Sequence, residues 1–181
     1  MTYVVVHESM FGNTRMVAEA IAGALRTAGA DVRQLPAAEL GGVRFDADDV
    51  LVIGAPTHAH TFPGARTRVA ARDMVKKSNP PLVLEPTATA RGIREWLKES
   101  AELPARAAVF DTRANGPRLL TGSAAVRIAH QLRRRHVQVL APPESFLVSA
   151  NQLRDGEIAR AAEWARTLVG QRRAPMSALR H

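Results

Sequence analysis

A chain of 181 residues with 46% apolar and 23% charged residues is long enough for one domain with its own core and too apolar to be disordered throughout. It contains no cysteine, which excludes disulfides, thiolate metal sites and thiol nucleophiles. Its 25 Lys and Arg against 17 Asp and Glu leave a net charge of +8, but the arginines are scattered and aromatics make up only 4%, so a surface that stacks nucleic-acid bases is not expected.

The chain enters its first strand without the basic-then-apolar layout of a signal peptide, and no apolar run approaches membrane-spanning length. A cytoplasmic protein is expected. Residues 3–7, Tyr-Val-Val-Val-His, form an almost unbroken β-branched run suited to a strand buried on both faces. After the linker Ser9-Met10-Phe11-Gly12-Asn13-Thr14 the period changes. Met16, Val17, Ala20, Ile21, Ala24 and Leu25 recur at helical spacing, and Gly29 supplies the stop.

This junction admits two readings. The unpaired N–H groups and dipole of a helix start, with hydroxyls and an amide beside them, make an anion site. Ser, Asn and Thr are equally the usual residues of an N-cap and a turn. The dinucleotide fingerprint, with three glycines, and the triphosphate loop, with Gly-Lys-Ser/Thr, are both absent from it.

Residues 30–35 alternate, with Val32 and Leu35 as anchors and Pro36 as the stop, which predicts an edge strand. One helical turn is expected around Ala37 to Leu40. Asp49 to Gly54 is a second fully apolar strand, followed by Ala55-Pro56-Thr57-His58-Ala59-His60. Residues 64–90 read as an inserted, mobile segment with weak helical character from Arg66 to Lys77. Thr87 or Thr89 is expected to cap a helix carrying Ile93, Trp96 and Leu97, with Trp96 in the core.

Residues 106–111 form a fourth strand, ending in Asp111-Thr112-Arg113. Thr121 or Ser123 starts a helix with Ala125, Val126, Ile128, Ala129 and Leu132 inward, and Arg133 to Arg135 complement the dipole in its last turn. A fifth strand is expected at 136–141, interrupted by Pro142-Pro143 and resumed at 145–148 at an edge. The last helix opens at 155–157, buries Ile158, Ala161, Ala162, Ala165, Leu168 and part of Trp164, and ends at Gly170. A basic, disordered tail is expected from 171 to 181.

Five strands alternating with helices predict an α/β fold: a three-layer, doubly wound, five-stranded parallel sheet of order 2-1-3-4-5 in one domain, 1–170. Ser-x-x-Gly-Asn-Thr directly after the first strand, together with Gly54-Ala55-Pro56-Thr57 after the third, resembles the flavodoxin family. The resemblance implies FMN as cofactor, its phosphate held by Ser9, Gly12, Asn13 and Thr14 with N–H groups of Met10 and Phe11. It places Pro56, Thr57, His58, Ala59 and His60 beside the flavin ring, where Phe62 is a further candidate, and brings Asp111, Thr112 and Arg113 to its edge.

Two departures stand out. His58 occupies the position where many flavodoxins carry a tryptophan, and no aromatic lies between Phe110 and Phe146, where they often carry a tyrosine. Receiver domains share the strand order but need an acidic pair after strand one and an aspartate after strand three, which His7-Glu8 and Ile53-Gly54 do not provide. The resemblance implies electron transfer or flavin-mediated reduction, with a redox partner protein or NAD(P)H-linked reductase of acidic surface. A flavodoxin-like module without flavin, acting in interaction or regulation, is the alternative.

Overall fold

The computed structural model of the protein describes residues 1–58, 61–77 and 82–170. Ala59, His60, Ser78 to Pro81, the tail 171–181 and the side chains at 71–74, 76 and 77 lie outside the described residues.

The elements follow in the order β1 (Thr2–His7), α1 (Asn13–Thr27), β2 (Asp31–Pro36), β3 (Val50–Pro56), α2 (Ala65–Lys77), α3 (Ile93–Glu99), β4 (Arg106–Ala114), α4 (Arg118–Thr121), α5 (Ala124–Arg134), β5 (Gln138–Val139), β6 (Glu144–Ser149), β7 (Gln152–Leu153) and α6 (Glu157–Gly170). A 3-10 turn at Ala37–Glu39 follows β2. The sheet runs β2-β1-β3-β4-β6-β7, parallel as far as β6 and antiparallel at β7.

Successive residues of β1, β3 and β4 point to opposite faces, and both faces are covered. Val4, Val6, Leu51, Ile53, Ala107 and Val109 pack against α3 and α5. Tyr3, Val5, Val50, Val52, Ala108 and Phe110 pack against α1 and α6. Each buried Val, Leu, Ile or Phe among them stabilises the fold by roughly 1.5–3 kcal/mol, which is why these strands read as unbroken apolar runs. Gly54 faces the ring of Phe110: a Cβ there would stand 2.2 Å from ring atoms. Phe110 in turn meets Phe146 and Trp164 edge-on, with centroids 6.2 Å away from each.

Several sequence expectations are corrected. The fifth strand is interrupted at Pro142-Pro143 as expected, but β5 pairs with β4 only at Gln138 and Val139, and β6 pairs along β4 from Phe110 to Ala114 rather than at an edge. Pro142 and Pro143 have no N–H to donate to a ladder, so the chain leaves the sheet between them and returns. The sheet therefore has more than five strands, and β7 occupies the edge that 145–148 was expected to fill. Helix α3 is capped at Gly92 rather than at Thr87 or Thr89, whereas α5 is capped at Ser123, one of its two expected starts, whose hydroxyl accepts the Val126 N–H. Met16, Val126 and Ile158 keep to the helical period but stand outside the buried arc, at 43%, 45% and 40% exposure. Trp96 and Trp164 are both buried. Arg135 donates to the carbonyls of Leu97 and Ser100, so part of the arginine run closes the end of α3.

Candidate functional site

The loop after β1 is built around Gly12. It sits at φ +90°, a left-handed conformation that L side chains rarely adopt, and its N–H donates to Ser9 Oγ at 3.1 Å. The Gly12 carbonyl then accepts the Met16 N–H and begins α1. The N–H groups of Asn13, Thr14 and Arg15 have no carbonyl four residues back inside the helix, so they are free for an anion at a positive dipole end. Thr14 Oγ1 lies 2.7 Å from Thr112 Oγ1, with both residues buried. This bond ties the loop after β1 to the end of β4.

The loop after β3 is held to the same strand, because the Thr57 N–H donates to the Thr112 carbonyl at 2.7 Å. Thr57 Oγ1 donates to Asp111 Oδ2 and accepts the Ala124 N–H at 2.9 Å. Asp111 Oδ2 also accepts the Ser123 hydroxyl at 2.6 Å and the Ala125 N–H at 2.9 Å. A fully buried carboxylate thereby joins β4, the β3 loop and the start of α5. His58 and Thr61 exchange backbone hydrogen bonds.

Ser9, Met10, Phe11, Asn13, Thr14, Pro56, Thr57, His58, Thr112 and Arg113 line one cleft of about 380 Å³ at the C-terminal ends of the strands. This is the switch point of the sheet, where β1 is flanked by β2 on one side and β3 on the other. Gly12 shapes the turn without lining the cleft, and Asp111 stands behind its wall. Ala59 and His60 lie outside the described residues. Phe62 is 1% exposed and packs in the core, with the Arg94 guanidinium 4.3 Å above its ring.

Sequence reasoning missed a fourth wall. Ala114 and Val148 line the cleft together with Ala150 and Asn151, the two residues between β6 and β7. Both have positive φ, 48° and 62°, as a tight two-residue hairpin requires. Asn13 Nδ2 donates to the Asn151 carbonyl at 2.9 Å, so the amide of the first loop is engaged by this hairpin. The available signal was an Asn in a short gap between apolar residues, Val148 and Leu153.

Two more anchors were missed because their partners are distant in sequence. Glu85 donates its N–H to the Met10 carbonyl and pairs with Arg15, which also pairs with Glu19. Glu8, the residue before Ser9, forms a buried pair with Arg68 of α2 at 3.1 Å and accepts the Ile93 N–H at 2.9 Å. Arg68 also reaches Glu95 at 2.7 Å. A Cβ on Gly92 would come within 2.5 Å of Glu8 Oε2, so a side chain there would have to displace the Glu8–Arg68 pair.

Among the described residues, Arg113 is the one charged side chain on the cleft wall, and no carboxylate lines it. Its guanidinium donates to the Gly116 carbonyl at 2.7 Å and to Thr121 Oγ1 at 3.0 Å. Burial pushes its pKa down, with Asp111 opposing. Burial also lowers the pKa of His58, so a neutral imidazole faces the cleft at neutral pH. Among the described residues no group of His, Asp and Glu could hold a metal ion, and no helix is long and apolar enough to cross a membrane.

His7, at the end of β1, is 7% exposed and its Nδ1 has no partner. Its pKa is lowered mainly by burial, with Glu19 and Glu85 opposing. The unfolded chain therefore takes up a proton here before the folded one does, and this contribution to stability is lost as pH falls below the ordinary histidine value of about 6.5. Urea unfolding of the wild type is expected to show lower stability at about pH 5.5 than at about pH 7.5, and His7→Gln to show a smaller difference. An equal difference in both would assign the effect to other groups.

No protein-family model matches the sequence, and no curated protein matches it. Solved structures do match. A flavodoxin from the domain Archaea superposes with a TM-score of 0.60 at 16% identity, over 94% of this chain and 98% of the other. Flavodoxin 1 from Bacillus cereus gives 0.61 at 16%, with the same coverage. The rubredoxin oxygen:oxidoreductase of Desulfovibrio gigas gives 0.52 at 15%, with 96% of this chain matching 37% of that one. The chain thus has a flavodoxin-like fold, with its switch-point cleft walled by the ends of β1, β3, β4 and β6.

Proposed function

We propose that the protein binds FMN in this cleft and works as a redox protein in electron transfer or flavin-mediated reduction. One observation carries the reading: in a flavodoxin-like fold, a helix start with free N–H groups meets two other strand-end loops around a cleft whose described wall holds no carboxylate. The donor set suits the group. The N–H groups of Asn13, Thr14 and Arg15 would hold the phosphate, aided by the helix dipole. Pro56, Thr57 and neutral His58 on one side, and Thr112 with Arg113 on the other, would bound the ring. Bound FMN supplies the electron and hydride chemistry, and the protein supplies position and electrostatics. The Arg113 guanidinium, fixed by Gly116 and Thr121, offers a cation to an electron-rich carbonyl.

A net charge of +8 favours a partner with an acidic face, either a redox protein or an NAD(P)H-linked reductase. The cytoplasmic setting expected from the sequence suits both.

A second reading, a flavin-free interaction or regulatory module, has its own support. The Ser9 and Thr14 oxygens already have partners within the protein, and His58 stands where the resemblance implies a larger ring. Titration decides between the two. Under the first reading, FMN fluorescence is quenched at micromolar protein, and Thr14→Ala weakens binding by about tenfold, the loss of one hydrogen bond in a charged site. Under the second there is no quenching, and Thr14→Ala costs only about 1 kcal/mol of stability, through its lost hydrogen bond to Thr112.

A further inference from the structure

Beside the cleft, and sharing Phe11, Asn13 and Asn151 with it, runs a larger open groove of about 790 Å³. Its walls are the start of α1, the β6–β7 hairpin and the start of α6. The groove begins at the anion-binding end of the cleft, away from His58 and Arg113, because the residues common to both are those of the first loop and the hairpin turn.

The chemistry of the groove is mixed in a specific way. Phe11, Met16, Leu153 and Ile158 give it an apolar floor, with Met16 and Ile158 left 43% and 40% exposed. Arg154 stands at its rim and makes one long side-chain hydrogen bond, 3.4 Å to Asn115 Oδ1. Asp155 is exposed next to it. A planar apolar group fits the floor, a second phosphate suits the guanidinium, and the carboxylate can accept from sugar hydroxyls.

We propose that the groove receives the adenylate half of a flavin adenine dinucleotide whose FMN half occupies the cleft. This rests on the flavin reading of the cleft and goes beyond it. A dinucleotide crosses from one depression to the other at the loop–hairpin contact, with its first phosphate on the α1 N–H groups and its second near Arg154. The extra half adds apolar burial and a charge contact without disturbing the first.

The experiment compares FMN and FAD by fluorescence titration against the wild type, Ile158→Asp and Arg154→Glu. Both substituted residues are exposed and outside the cleft, and thermal melts check that the variants fold. FAD is expected to bind the wild type at least about tenfold more tightly than FMN. Each variant is expected to lower FAD affinity to near the FMN level while FMN affinity stays within about twofold. FAD binding no tighter than FMN binding overturns the inference and leaves the flavin reading intact, as does an equal loss of both ligands in the variants. Failure of the wild type to bind either flavin overturns both.

Discussion

Arg68→Met is expected to lower the unfolding free energy by about 3–5 kcal/mol, because it leaves the Glu8 carboxylate buried without its counter-charge. Both side chains of the pair are 5% exposed, so water cannot take the place of the guanidinium. Burial already pushes the Glu8 carboxyl above its usual range, with the Ile93 N–H and Arg68 pulling it back. Removing Arg68 raises it further. A carboxyl whose folded pKa lies above its unfolded value holds its proton longer in the folded chain, so stability falls as pH rises through that interval. The deficit of the variant is therefore expected to be greatest at neutral pH and to shrink toward about pH 5, as followed by urea unfolding. Adding Glu8→Gln is expected to restore much of the loss, since the amide oxygen can still accept the Ile93 N–H. A single variant as stable as the wild type at neutral pH would show that the pair does not anchor α2.

Asp111→Ala is expected to cost about 3 kcal/mol or more and to weaken FMN binding by over about tenfold. One oxygen of this carboxylate accepts from Thr57, Ser123 and Ala125, and the substitution leaves three enclosed donors without their acceptor. The stability loss follows from those donors alone. The affinity loss follows from Thr57, which lines the cleft and is fixed both by Asp111 and by the first turn of α5. Thermal melts and FMN titration of the same preparations separate the two effects. Lost stability with unchanged affinity would make Asp111 an anchor of the fold with no part in shaping the site.

The readable parts of the chain are those where a local pattern has one physical outcome. The runs at 3–7 and 50–54 are apolar without alternation, and only a strand covered on both faces accepts that. Ser9 to Thr14 joins such a strand to a helical period, so the helix start had to lie there, and Gly12 at positive φ is the residue that permits the turn. The element order then led to the 2-1-3-4 arrangement through right-handed crossovers, and with it to the meeting of the loops after β1 and β3.

Whether those loops close around one cleft was a tertiary matter. Thr14 meets Thr112 from 98 residues away, and Asn13 meets Asn151 from 138. No local preference encodes such pairs, because each is fixed by the register of strands that the whole sheet sets. The same holds for Glu8 and Arg68, 60 residues apart. The break at Pro142-Pro143 was legible, but the pairing of β6 along β4 depended on how far β4 extends beyond Asp111, which its sequence does not mark. The sequence by itself determined the layers, the switch point and where the loop after β1 gives way to a helix, since these follow from periodicity and turn chemistry. The tertiary structure alone decided which charges are buried and paired, that a hairpin walls the site, and that a second groove opens beside it, since these depend on contacts between residues that the chain keeps far apart.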